Sequence, residues 1–364
     1  MNNVIIGIPA YNAEETLPTL LASIKTQTYK DYKVVIVADG DNKESLYDTI
    51  ASSFVDNYEV VSLSENKGPG IARAKALEVA IKEKIPFITF MDADDLFFNP
   101  ISLQQLVNGM MPNDKMPVIV EAFSPFLQMT NVGLVPIDNP DSPWVFGKMY
   151  NVPFLKTSDI TFSSLRAMED GEFNAKIRLI APQAINILSD PTYIWMPGSE
   201  HSITRMTVEG NDTPIYNYGL CQIGADKCFA SALEFAAKKN PLNPEIKKMA
   251  VQSLISHYFT YYEAKQNYEC FADINAVLSR DWFDKVYCEY ASDVKIDQLE
   301  EMFLQFTPRL QVLKKMPDLS FRDWLEYVCS FKDTVQESFD KLPKDIIEAY
   351  KRTGVLSSVG IEEC

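Results

Sequence analysis

The chain has 364 residues, 46% hydrophobic and 23% charged, and its 50 acidic against 34 basic residues leave a net charge of −16. These proportions exclude a disordered or collagen-like chain, and at roughly 100–200 residues per domain the length predicts two domains. So acidic a chain has no broad electrostatic footprint for nucleic acid or a membrane surface, and no apolar run approaches the ~18 residues of a spanning helix.

The start, Met1-Asn2-Asn3, carries no basic leader and no cleavage site, which predicts a cytoplasmic protein without an export signal. Val4-Ile5-Ile6-Gly7-Ile8 reads as a buried strand ending at Pro9. Leu17, Leu20, Leu21 and Ile24 then recur at helical spacing, with Glu14 and Glu15 expected in the first turn, where the helix dipole favours anions. Val34–Val37 is a second β-branched run, followed by a helix through Leu46, Ile50 and Phe54. Glu59–Leu63 gives a third strand, Ile71–Ile81 a third helix and Phe87–Met91 a fourth strand. Alternating strand and helix with short connections means right-handed crossovers and a mainly parallel sheet covered on both faces.

After residue 100, prolines interrupt the apolar runs, but Val118–Val120, Trp144–Phe146 and Tyr193–Met196 still read as strands of a mixed sheet extension. From about residue 222 the pattern becomes helical: Lys227–Lys239, then Pro244–Gln266 with Pro244 suited to a first turn, then further segments to Tyr350. This predicts two domains, 1–217 and 218–364. The six cysteines, all after residue 220, show no C-x-x-C and no metal-finger spacing, so free thiols are expected. His257, amid aromatics on a helix, reads as structural.

Parallel α/β sheets bind ligands outside the carboxyl ends of their strands. Here those ends are Pro9–Glu14, Ala38–Asp41, Glu65–Gly70 followed by Arg73, and Asp92-Ala93-Asp94-Asp95. Three carboxylates in four residues repel one another. A divalent cation relieves that cost, hard oxygen ligands suit magnesium or manganese, and magnesium commonly completes its shell with phosphate oxygens. A nucleotide diphosphate is therefore the expected ligand, the ordinary alternative being a solvated acidic turn capping a helix near Pro100.

Four blocks in order, Ile8–Glu14, Val35–Gly40, Asn66-Lys67-Gly68 through Ala72-Arg73-Ala74, and Asp92–Asp95, resemble the family 2 glycosyltransferases of GT-A fold over roughly residues 3–210. The resemblance implies an inverting, metal-dependent transferase that moves one sugar from a nucleoside diphosphate sugar, by preference a UDP sugar. It implies donor contacts from Pro9, Tyr11, Asn12, Glu14, Asp39, Lys67, Gly68, Arg73, Asp92 and Ala93. Asp39 would accept from the base, and Asp92 and Asp94 would hold ribose and metal. Met168-Glu169-Asp170-Gly171, ahead of the helical run Ala175–Ile180, resembles the family's Glu-Asp motif, making Asp170 the general base and Glu169 its neighbour. In Ser199–Arg205, the resemblance places His201 as a further metal ligand and Arg205 against the diphosphate. The sequence departs from the family pattern at Ala38 and Asp41, which flank Asp39-Gly40.

No Q-x-x-R-W motif of the processive synthases is present, which favours a single addition over polymerisation. A nucleotidyltransferase would need a glycine-rich basic loop after strand one, where Pro9–Glu14 has neither glycine nor cation. A non-catalytic scaffold on the same fold is the other alternative. The acceptor is left open among a glycan, a polyol, a lipid, a protein and, less favoured, a hydroxylated nucleic-acid base, with the C-terminal helices expected to bind it or to form a homo-oligomer.

Overall fold

The computed structural model describes residues 3–137, 143–196, 207, 215–304, 313, 315 and 317–362. The chain divides into two compact units, Met1–Ser199 and Glu200–Cys364. The first is a mixed α/β unit. Its seven-stranded sheet holds, in spatial order, Ile185–Ile187 (β10), Glu121–Phe123 (β6), Lys148–Asn151 (β9), Phe87–Phe90 (β4), Val4–Ala10 (β1), Tyr32–Asp39 (β2) and Tyr58–Leu63 (β3). Strands β4, β1, β2 and β3 run parallel, whereas β9 lies antiparallel between β4 and β6. The chain leaves β1 for β2 on one side and returns to β4 on the other, so a crevice opens beyond the ends of β1 and β4, where such folds bind ligands.

The near-unbroken apolar runs of β1 and β2 follow from this topology, since a central parallel strand is covered on both faces. Val4, Ile5, Ile6 and Ile8 are fully buried, as are Val34–Ala38. Gly7 admits helix Pro69–Glu83 (α3) closely, for a methyl there would sit 2.8 Å from Ala76 Cβ. A second sheet of four strands has the order Leu96–Phe97 (β5), Tyr193–Trp195 (β11), Phe126–Thr130 (β7) and Gly133–Ile137 (β8). Helix Glu169–Ile180 (α6) completes the part that positions the site.

Several sequence expectations shift. Val118–Val120 precedes a strand, Glu121–Phe123, and Trp144–Phe146 is a loop before Lys148–Asn151. In both cases the apolar run is connection and the ladder uses the next residues: Ile119 and Val120 are buried while Val118 is exposed, and Phe146 is buried against Phe126, Tyr193 and Trp195. Glu14 and Glu15 lie ahead of the first helix, which begins at Leu17 with no acidic residue in its first turn. Glu14 is held by Lys43 at 2.6 Å.

The second unit is helical, with long helices Leu220–Lys239, Pro244–Asn267 and Ala272–Trp282 and shorter ones to Lys351. Asn243 caps the second by accepting from Glu245 N, with Pro244 at its first position. Its core is aromatic: Trp324 is fully buried and meets Tyr258 edge to face, ring centroids 5.2 Å apart. His257 is buried beside Asp226 at 3.2 Å and packs on Trp282. Cys270, Cys288 and Cys329 are free thiols. Among the described residues no helix is long and apolar enough to cross a membrane.

Candidate active site

The first turn of α3 organises the carboxyl edge of the sheet. Asp39, at the end of β2, is buried, and its two carboxylate oxygens accept from Lys67 N at 2.7 Å and Gly68 N at 2.8 Å. Burial pushes the Asp39 carboxyl up, opposed by those two amides and by Arg166. Gly40 makes the approach possible. At φ +75° a side chain is strained, and its Cβ would stand 2.1 Å from the Glu65 carbonyl carbon. Arg166 closes the turn from the other side, donating to the Asn66 carbonyl and laying its stem against Gly68.

One turn further along α3, Arg73 joins two distant segments. Its guanidinium donates to Asp92 Oδ1 at 2.6 Å and to Glu169 Oε1 at 2.7 Å, and Arg73 is only 4% exposed. Burial opposes its charge, but Asp92, Glu169 and Asp170 outweigh burial and hold Arg73 firmly protonated. Gly70 lets α6 approach: a methyl there would lie 2.8 Å from Glu169 Cγ and from the Ser163 carbonyl. The end of β4, the start of α3 and the start of α6 thus meet in one place.

Asp170 follows on α6 and is partly exposed. Burial, then the neighbouring Glu169 charge, push it up to about 7, against Arg73 and the Gly171 amide, which donates to Asp170 Oδ1 at 2.8 Å. A carboxylate poised near neutrality is what general-base work at physiological pH needs.

The Asp92–Asp95 segment spans from β4 in one sheet to β5 in the other, and its three carboxylates have separate environments. Asp95 is buried, accepting from the Tyr193 hydroxyl and from Met196 N at 2.8 Å. Burial, then Asp92 and Asp94, push its carboxyl well up, against the Tyr193 hydroxyl and the Met196 amide. Asp92 is half-buried against Arg73, Ala93 is buried and Asp94 is exposed. Among the described residues no group of three His, Cys, Asp or Glu side chains is placed to hold a metal ion. A diphosphate-bound magnesium or manganese ion, however, takes as few as one or two protein carboxylates, and the oxygens of Asp94 and Asp92 fit that demand. His201 and Arg205 lie outside the described residues.

At the end of β1, Pro9 is half-buried in the strand and Tyr11 is 52% exposed. Asn12 adopts φ 50°, donating its amide to Asp41 Oδ2 at 2.9 Å. Lys43 ties the loop by donating to Asn12 Oδ1 at 2.8 Å and to Glu14 Oε1 at 2.6 Å. Tyr47 adds a hydroxyl that donates to Asp41 and accepts from Ala13 N. Glu14 Oε2 is buried with no hydrogen-bond partner among the described residues. Lys67 is paired with Glu65 at 3.3 Å on the open side of its turn.

The structure therefore brings Asp39, Lys67, Gly68, Arg73, Asp92, Glu169 and Asp170 around α3, and Asn12 and Glu14 around Asp41 and Lys43, with Tyr11 exposed next to Asn12. Sequence reasoning missed Arg166, Lys43, Tyr47 and Tyr193. Asp41 was visible only as an irregularity, and Tyr193 only as part of a strand.

Residues 5–155 match the family described as Glycosyl transferase family 2. The first unit carries a family 2 glycosyltransferase domain. Within it, 97 residues are 38% identical to the Staphylococcus epidermidis teichoic acid poly(glycerol phosphate) polymerase, covering 26% of this chain and 13% of that one. A further match, 31% identical over 115 residues, is the uncharacterized glycosyltransferase YibD of Escherichia coli, with 31% and 32% of the two chains covered. The matched segments thus span no more than a third of these two curated relatives. The GT-A-type fold is shared more widely. S. aureus TarS superposes with a TM-score of 0.60 at 18% identity over 90% of this chain and 55% of that chain. TarS 1-349 in complex with UDP gives 0.50 at 19% identity, with 97% and 92% covered.

Proposed function

We propose that the protein is an inverting glycosyltransferase that transfers one sugar from a UDP sugar to a hydroxyl acceptor. The observation that carries this reading is the buried Arg73 clamp, which sets Asp92 at the strand end beside Glu169 and Asp170. The donor's base and ribose would lie along Tyr11, Asn12 and Glu14, whose Oε2 would gain a donor from the nucleoside. Asp39 would meet the base while bracing the turn at Lys67 and Gly68. That a structure of the same fold holds UDP supports the choice of nucleotide.

A divalent cation held by Asp94 and Asp92 would neutralise the diphosphate and stabilise it as leaving group. Asp170 takes the acceptor hydroxyl proton as the new bond forms between acceptor oxygen and anomeric carbon and the bond from that carbon to the UDP oxygen breaks. One base facing one leaving group gives inversion. Glu169, tied to Arg73, stands next to Asp170 and, after burial, is the largest cause that pushes the base up to about 7, ready to accept a proton near neutral pH. Such proton transfer contributes on the order of 10²–10⁴-fold.

The test is a screen of UDP sugars for manganese-stimulated hydrolysis, followed by mass spectrometry of candidate acceptors, with wild type and Asp170→Asn. The reading expects UDP release from at least one sugar by wild type and loss of it in Asp170→Asn with UDP binding kept. Near wild-type turnover by the variant removes Asp170 from the mechanism. Absence of UDP binding favours a scaffold.

A further inference from the structure

One buried polar cluster lies outside the assignments above. Lys148 on β9 is fully buried, with Glu121 of β6, also fully buried, 3.2 Å away, and its ammonium lies 5.1 Å from the Phe123 ring centre. Burying an ammonium and a carboxylate together is costly, and the pair adds little net stability over apolar residues of similar size. An apolar pair would fill this space more cheaply, so the cost invites another explanation.

Asn174 provides it. This side chain, one turn beyond Asp170 on α6, is buried and uses its full bonding capacity. Its Oδ1 accepts from Lys148 Nζ at 3.0 Å and from the Tyr150 hydroxyl at 2.9 Å. Its Nδ2 donates to the Asp170 carbonyl at 2.9 Å and to the Pro143 carbonyl at 2.7 Å. Lys148 and Tyr150 stand two apart on β9 and so share a face of the sheet, and their ladder partners are Phe123 and Glu121. The sheet thereby fixes the orientation of one amide, and that amide grips the backbone of Asp170. The Pro143 segment lies close to the same turn, within ordinary contact distance (3.7 Å to Pro143 Cβ) of where a methyl on Gly171 would sit.

We infer that Asn174, oriented by Lys148 and Tyr150, is a positioning residue that fixes Asp170 at the place where it meets the acceptor hydroxyl. This rests on Asp170 being the base. Misplacing a reacting group by about 1 Å can cost ~10²-fold in rate, so conservative changes in this cluster should lower kcat while sparing donor binding. The charged groups around the cluster are Glu121 on β6 and Arg178 and Asp170 on α6. Burial leads in lowering the Lys148 ammonium to about 8, with Glu121 and Asp170 acting against it.

Asn174→Asp keeps the shape and the two acceptor contacts but removes both donors. In the full chain, hydrolysis of UDP-glucose and UDP-N-acetylglucosamine is followed together with UDP titration, thermal melting and hydrogen exchange over Glu169–Asn174. The inference expects kcat to fall roughly 10- to 100-fold, the donor KM and UDP affinity to stay within about twofold, and exchange to rise in that segment alone. The Lys148→Met/Glu121→Gln double variant, which removes both charges together, covers a folding failure of Asn174→Asp. It should lower kcat in the same pattern, with a smaller gain in exchange. Unchanged kcat and unchanged exchange at Glu169–Asn174 in a folded variant would overturn the positioning role, even if the melting temperature fell. Retained turnover in Asp170→Asn would instead overturn the base assignment itself, so the two failures are separable.

Discussion

Arg73→Met tests the clamp that unites the site. Arg73 makes two charge-assisted bonds, at 2.6 and 2.7 Å, to carboxylates with side-chain exposures of 27% for Asp92 and 8% for Glu169. Removing one member of a buried ion pair costs about 3–5 kcal/mol, because the remaining charge stays buried without a partner. Asp92 regains water more readily than Glu169, which places the expected loss at the lower end, about 3 kcal/mol at pH 8. The sign with pH follows from Glu169. Burial already pushes its carboxyl above the ordinary 4.5 and Arg73 pulls it back. Without Arg73 the folded carboxyl rises further above its unfolded value. The variant's deficit therefore grows as pH increases through that interval and shrinks towards pH 4.5, where Glu169 is protonated. Urea unfolding of wild type and variant at pH 4.5, 6 and 8 reads this directly. A deficit under about 1 kcal/mol at pH 8, or one that grows on acidification, would refute the reasoning.

Asp170 is pushed up to about 7 by burial and by Glu169, so its ionisation weighs against folding as pH rises from about 4 to 7; Asp170→Asn should melt higher than wild type at pH 8, match it at pH 4 and lose transfer. In wild type, kcat should fall below about pH 7 as the base is protonated, read from a pH–rate profile. Asp39→Asn leaves one oxygen for two backbone amides and should cost about 1–3 kcal/mol in chemical unfolding, with weaker UDP binding by titration. Tyr11→Ala, at a half-exposed position, should leave the melting temperature within about 1 °C yet weaken UDP binding.

Sequence read the α/β half of the fold well because a buried parallel strand advertises itself: β1 and β2 are apolar at nearly every position and end at polar residues. It faltered after residue 100. At Val118–Val120 and Trp144–Phe146 the apolar residues form loops that lead into the next strands, where two-residue periodicity has no meaning. Asp39, Asp92, Glu169 and Asp170 could be singled out because each sits at a strand end or helix start in a short motif. Their partners could not. Arg166 and Tyr193 reach the site across the folded unit, Tyr193 from 98 residues beyond Asp95, and nothing in their own neighbourhoods marks them. Nothing in the sequence around Lys148 marks it as buried, because its pairing with Glu121 and Asn174 exists only once β6, β9 and α6 are packed.

The account rests on carboxylates from separate strands and one helix serving a single metal-bound nucleotide. Calorimetric titration of UDP into wild type and Asp94→Ala, with manganese and again with a chelator, tests it most directly. Manganese-dependent UDP binding in wild type that Asp94→Ala loses is the predicted result. UDP affinity that is the same with manganese and with chelator, or that Asp94→Ala leaves unchanged, would contradict it.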